Sequence, residues 1–140
     1  MNWHQKEIIL PPLGKGIHIV TDIIIKNVPE IKKFKVGIAN IFIKHTSASI
    51  TINESADPSV RMDLMDHLDQ IVPEGLPYYR HTAEGPDDMP AHIKTSLLGT
   101  ELNIPISNGA LNLGTWQGVL LCEHRKEEMQ RKIIVTITGK

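Results

Sequence analysis

Short runs of isoleucine, valine and leucine stand at both ends of this chain, and helical patterns stand between them. "EIIL" (7–10) and "GIHIV" (16–20) are β-rich and separated by "PPLGKG", a turn-rich connection. "KVGIANIFIKH" (35–45) is a strand with two apolar faces, Val36, Ile38 and Phe42 alternating with Ala39, Ile41 and Ile43, which predicts burial on both sides. "SITIN" (49–53) alternates cleanly and can pair with it as a hairpin through "HTSA". Later in the chain "ELNIPI" (101–106), "GVLLCEH" (118–124) and "KIIVTIT" (132–138) read as strands, with "SNG" as a turn. Strands grouped around central helices, not alternating with them, predict an α+β fold.

The clearest helix follows Asp57, which caps it. Pro58 takes the first helical position, and Val60, Leu64, Leu68 and Ile71 form an apolar stripe ending before Gly75. A second helix runs from near Asp88 through "MPAHIKTSLL" to Gly99, a residue suited to a helix C-terminus. "TDIIIKNVPEIKKF" (21–34) is ambiguous, since its isoleucines favour strand. Thr21 and Asp22 can cap a short helix ending before Pro29, and that reading is preferred.

Nothing repeats and no low-complexity linker divides the 140 residues, so one domain spanning 1–140 is expected. With two each of Trp, Tyr and Phe, the core must be aliphatic and aromatic base-stacking surfaces are scarce. A net charge of −1 leaves no electrostatic footprint for nucleic acid, so no nucleic-acid partner is expected. No run approaches the roughly 18 apolar residues of a membrane span, and no secretory leader is visible. The one cysteine, Cys122, has no partner for an internal disulfide, and a reducing, cytoplasmic setting fits best.

The densest polar stretch is "HTAEGPDDMPAH" (81–92), with two histidines and the acids Glu84, Asp87 and Asp88. Asp88 as an N-cap would account for one acid, and Pro90 is tolerated in the first turn. The rest calls for another reason. His92 and Ser96 share a helix face with Asp88, and Gly85-Pro86 can fold His81 back towards it. Other polar groups also gather where strands end: His45 with "TSAS", then Asn53, Glu54 and Asp57, then Glu123, His124 and Arg125. His81, His92 and His124 could supply a divalent-metal site, with Asp88 or Glu123 as ligand or support. The spacing is not diagnostic, for there is neither HExxH nor CxxC. A serine nucleophile at Ser47 or Ser49 beside His45 lacks the GxSxG elbow, and such hydroxyls usually serve the local backbone. Cys122 reads as core, and "GKG" (14–16) is too short for a phosphate loop. His4 and His18 look incidental; His67 reads as a partly buried helix residue.

"HTSASITINE", "DPSVRMDL", "YRHTAEGPDDMPAHIKTSLLG", "IPISNGALNLGTWQGVLLCEHR" and "RKIIVTITG", in that order, resemble the YjbQ family, usually labelled secondary thiamine-phosphate synthases. The resemblance runs from about residue 3 to the end; Ser55 stands where the family commonly has Asn or Glu. It implies an α+β fold with sheets packed as a sandwich, and a homotrimer with sites near subunit boundaries. It further implies a divalent metal ion, zinc first and magnesium or manganese otherwise, on His81, His92, His124 and Asp88. A small phosphorylated substrate would meet Thr46, Ser47, Asn53, Ser96, Gln117 and Arg125. His45, Glu54, Asp63 and Glu123 would be catalytic, and Glu84 and Asp87 belong to the same motifs. The implied reaction joins hydroxymethylpyrimidine diphosphate to a thiazole phosphate and releases pyrophosphate. A metal-dependent hydrolase of a small phosphorylated or acyl metabolite, or a non-catalytic metal- or metabolite-binding trimer, needs the same polar pocket.

Overall fold

In a computed structural model describing Met1–Lys140, eight strands and three helices form three layers. The first layer is a five-stranded antiparallel sheet ordered β1 (Asn2–Ile9), β8 (Lys132–Gly139), β3 (Val36–Ile43), β5 (Glu101–Ser107) and β6 (Ala110–Leu111). The second is a three-stranded antiparallel sheet ordered β2 (Gly16–Ile19), β7 (Gln117–Glu123) and β4 (Ala48–Glu54). Helices α2 (Pro58–Ile71) and α3 (Asp88–Leu98) lie against β2 and β4 and make the third. The α+β expectation and the sandwiched sheets are both found. No helix is long and apolar enough to cross a membrane.

The core lies between the two sheets. Ala39, Ile41, Ile43, Ile104, Ile106, Ile133, Val135 and Ile137 come from the large sheet, and Ala48, Ile50, Val119 and Leu121 from the small one. Helix α1 (Thr21–Asn27) and the 3-10 turn Pro29–Lys33 add Ile24, Val28 and Ile31. β7 is central in the small sheet and covered on both sides, so Leu120 and Cys122 are buried as well as Val119 and Leu121.

Four local expectations are corrected. β3 is not buried on both faces: Val36, Ile38 and Phe42 are exposed, because the helices cover the small sheet and none covers the outer side of the large one. β3 and β4 do not form a hairpin. Both edges of β3 are taken by β5 and β8, so the chain crosses at residues 44–47 to the other sheet. Thr21 does not cap α1; its hydroxyl accepts the Val119 N–H at 2.8 Å and ties the helix to β7. Asp88 is not the cap of α3, since Asp87 holds that position without a capping bond. Asp57 does cap α2, its carboxylate accepting the Ser59 N–H at 2.9 Å. β1 is longer than "EIIL" because pairing to β8 recruits residues from Asn2 onward.

Candidate metal centre and its supporting network

Helix α3 begins where the crossover between the sheets and the end of β7 meet, and this junction gathers the polar residues. Asp88 is almost fully buried, 1% exposed. Its Oδ2 lies 2.7 Å from His81 Nε2 and 3.1 Å from His92 Nε2. Its Oδ1 accepts Arg125 Nη1 at 2.5 Å. One ligand atom each from His81, Asp88 and His92 falls within 4.8 Å of the others. Burial pushes the Asp88 carboxyl up, but the bond to His81 and the charges of His92 and Arg125 outweigh it and hold the group below the usual carboxylate range.

His92 decides what this cluster can do. Its Nδ1 lies 2.9 Å from the Thr46 carbonyl, an acceptor only, so Nδ1 carries a proton. In the neutral ring Nε2 is then a bare lone pair, facing a carboxylate oxygen. Two acceptors do not rest at 3.1 Å without a proton or a cation between them. A far nitrogen that donates to a carbonyl is the usual posture of a metal-ligating histidine, and a proton between Nε2 and Asp88 fills the same gap. Two imidazoles and one carboxylate are a suitable donor set for zinc and leave further positions open.

Arg125 braces the cluster. Nε binds Asp87 Oδ2 at 3.2 Å, Nη1 binds Asp88, and Nη2 donates to the Glu84 carbonyl at 3.0 Å. Asp87 also accepts the Lys126 N–H at 2.8 Å. Burial raises the Asp87 carboxyl, and the Lys126 and Arg125 contacts override it and hold it low. Three of the five guanidinium N–H groups thus hold protein acceptors, which gives Arg125 a positioning role and leaves one donor on each of Nη1 and Nη2 for the phosphate expected there.

His124 stands apart from the cluster. Strand alternation sends Glu123 and His124 to opposite faces of β7. His124 Nε2 lies 2.8 Å from Ser49 Oγ, and the ring borders a cleft with Lys15, Asp69 and Lys94. Burial, then Lys94, Arg131 and Lys15, lower its pKa to about 3. The trio expected from the sequence thus becomes His81, His92 and Asp88. Glu123 forms a buried bidentate pair with Arg131, 2.6 Å to both Nε and Nη2. Arg131 Nη2 also reaches the Ser47 carbonyl at 3.2 Å and its hydroxyl at 3.0 Å. His45 Nε2 accepts the Lys132 N–H at 2.9 Å, and burial, then Arg131, lowers its pKa. Thr46 contributes its carbonyl to His92. These four expected chemical groups tie strand ends together.

The remaining expected residues lie elsewhere. Asn53 accepts the Glu54 N–H and Glu54 the Asp57 N–H, both in the turn before α2. Gln117 accepts the Gly114 N–H in its own turn. The register sets Ala48 beside Glu123 and Glu54 beside Gln117, so these groups occupy opposite ends of the small sheet. Six residues at roughly 3.3 Å each separate the ends by about 20 Å. Asp63 on α2 and Ser96 on α3 are exposed. Arg131, Lys94 and Asp69 were not singled out from the sequence, and Lys15 entered only within "GKG" (14–16), set aside as too short for a phosphate loop.

The chain matches the family described as UPF0047 protein YjbQ-like over residues 6–140. It is 42% identical over 137 residues to the UPF0047 protein YjbQ of Escherichia coli O157:H7, covering 98% of this chain and 99% of that protein. A UPF0047 protein of Synechocystis sp. is 46% identical over 136 residues, covering 97% and 92%. The crystal structure of an uncharacterized conserved protein of the yjbq/upf0047 family from Clostridium acetobutylicum superposes with a TM-score of 0.84 at 38% identity, covering 95% of this chain and 99% of that one. The chain belongs to the YjbQ-like UPF0047 family.

Proposed function

We propose that this protein is a metal-dependent enzyme acting on a small phosphorylated substrate, with thiamine-phosphate synthesis as its first candidate activity. The observation that carries this is the His92 posture: Nδ1–H on the Thr46 carbonyl and Nε2 turned to the buried Asp88 carboxylate. His81, His92 and Asp88 would hold the ion, zinc or else magnesium or manganese. A bound divalent ion supplies positive charge against a developing anion. In the candidate reaction the methylene–oxygen bond to the diphosphate breaks, pyrophosphate leaves with the electron pair, and the thiazole nitrogen forms the new bond to carbon. That chemistry asks chiefly for leaving-group stabilisation. Arg125 fixes Asp88, and Asp87 fixes Arg125, so the ligand set stays rigid as charge develops.

A homotrimer belongs to the same proposal. Glu54 and Gln117 lie at the end of the small sheet away from the crossover whose Thr46 carbonyl holds His92, about 20 Å along the strand, and assembly would bring this second polar group to a neighbour's cluster. The exposed Trp3, Ile38 and Phe42 on the uncovered sheet give such an assembly apolar surface to bury. The buried free thiol of Cys122 suits a reducing cytoplasm.

Elemental analysis of untagged protein purified without chelators tests the reading. About one ion per chain is expected, with His92→Ala and His81→Ala losing it while their thermal transitions stay cooperative. Wild-type protein that takes up no zinc or manganese would overturn it. With metal bound, formation of thiamine phosphate from the two organic substrates separates the synthase from a hydrolase, which turns over with water alone, and from a binding protein, which turns over nothing.

A further inference from the structure

A second site adjoins the metal cluster across the first turn of α3. A cleft of about 350 Å³ is lined by Lys15, Asp69, Asp87, Lys94, His124 and Lys126, among others. That volume is within the range of small-ligand sites. Lys94 is 3% exposed, and the protein engages its ammonium with one acceptor, Asp69 Oδ1 at 2.5 Å. An ammonium has three donors. The same Asp69 carboxylate is also shared with Lys15, at 2.9 and 3.0 Å, so one negative charge answers two positive ones. Two further acids, Asp87 and Glu74, line the cleft and are held by other partners. Asp87 is committed to Arg125 and the Lys126 N–H, and Glu74 meets Lys126 at the rim.

His124 reports the resulting field. Besides burial, the largest influences on its ring are cations, Lys94, Arg131 and Lys15, and together they lower its pKa to about 3. Its Nε2 is held by Ser49, which keeps the ring at the edge of the cleft. A buried ammonium with donors to spare, beside a second lysine that shares its one carboxylate, is suited to a compact anion.

We infer that this lysine-lined cleft binds the phosphate or pyrophosphate group of the substrate, with Lys15, Lys94 and Lys126 as its direct contacts. The inference rests on the reading of a phosphorylated substrate and gives its anion a place beside the cluster. Asp87 borders the cleft, and Asp88, the next residue, belongs to the His81–His92 cluster, so the two sites meet at the start of α3.

Pyrophosphate titrated calorimetrically into the full-length protein, as purified and again after chelator treatment, tests this. One site per chain is expected in both states. Lys15→Gln and Lys126→Gln should each weaken binding at least tenfold, while Lys26→Gln, an equal change of charge on the exposed side of α1, should weaken it less than twofold. Thermal melts show that each variant is folded, and Lys94, buried against Asp69, is left in place for that reason. Binding only when metal is present would put the anion at His81 and His92, overturning this inference and leaving the metal reading intact. Equal losses from Lys26→Gln and Lys126→Gln, or none from either lining lysine, would overturn it too. Tight, lysine-dependent binding to a protein that takes up no metal would sustain the cleft and remove the metal centre.

Discussion

At the scale of single residues, the same side-chain types do opposite work a few ångströms apart. His92 is turned by a carbonyl so that its other nitrogen meets Asp88, whereas His124 is buried among cations and kept neutral. The second arrangement has a pH consequence with a definite sign. Unfolded, His124 protonates near its ordinary 6.5, while folded it resists protonation down to about 3. Between those values the unfolded state binds the extra proton, so His124 makes the protein lose stability as pH falls through that window. The slope approaches about 1.4 kcal/mol per pH unit where the difference is fully developed. His124→Gln, which can keep a donor near Ser49, should flatten the urea-derived stability profile between pH 6 and pH 4. Parallel wild-type and variant profiles would refute the assignment. Sequence alone put His124 with the metal ligands because it ends a buried strand beside two charged residues. What it lacked was the face: alternation along β7 is readable, but which face meets α3 depends on tertiary packing.

Element by element, much was legible. Asp57-Pro58 starts α2 and Gly99 ends α3 because capping and φ preferences act within a few residues, and the strands after residue 100 carry strong local patterns. Two capping expectations failed locally, at Thr21 and Asp88, and the larger errors were of partnership. A hairpin between β3 and β4 looked natural until β5 and β8 took both edges of β3, and residues far apart in sequence set that choice. The site shows the same division: Asp88 and His92, four apart on one helix, were readable as neighbours, whereas Lys94–Asp69 and Glu123–Arg131 required the fold. Gly99 also lets α3 be tested as an element. Its φ of 100° with ψ of 171° is a conformation nearly confined to glycine, and side-chain residues there cost of order 1–3 kcal/mol. Gly99→Ala should lower stability by about that amount, read as a reduced urea midpoint with an unchanged slope. A midpoint equal to wild type would mean that this helix end can relax without cost. Metal stoichiometry of the folded variant should stay unchanged, because Asp88 and His92 sit at the other end of the helix.

For the molecule as a whole, the question is why one chain places polar groups at both ends of a three-stranded sheet. His81, Asp88 and His92 lie at one end, Glu54 and Gln117 at the other, and the sheet between them is rigid and well packed. No local rearrangement closes about 20 Å along a paired strand. A closed ring of chains would, since a head-to-tail interface sets one end of each subunit against the other end of its neighbour. Complementation follows from that geometry. His92→Ala and Glu54→Gln proteins should each be trimeric and inactive in thiamine-phosphate synthesis. Unfolded together, mixed equally and refolded, they should regain about a quarter of wild-type turnover, because about one boundary in four then joins an intact cluster to an intact Glu54. Native mass spectrometry, which resolves the two chains by mass, shows that hybrids have formed. Hybrids without turnover would mean that both halves of each site come from one chain, and a Glu54→Gln protein active on its own would mean that Glu54 takes no part. The second result would confine the chemistry to the junction of α3, the crossover and the end of β7.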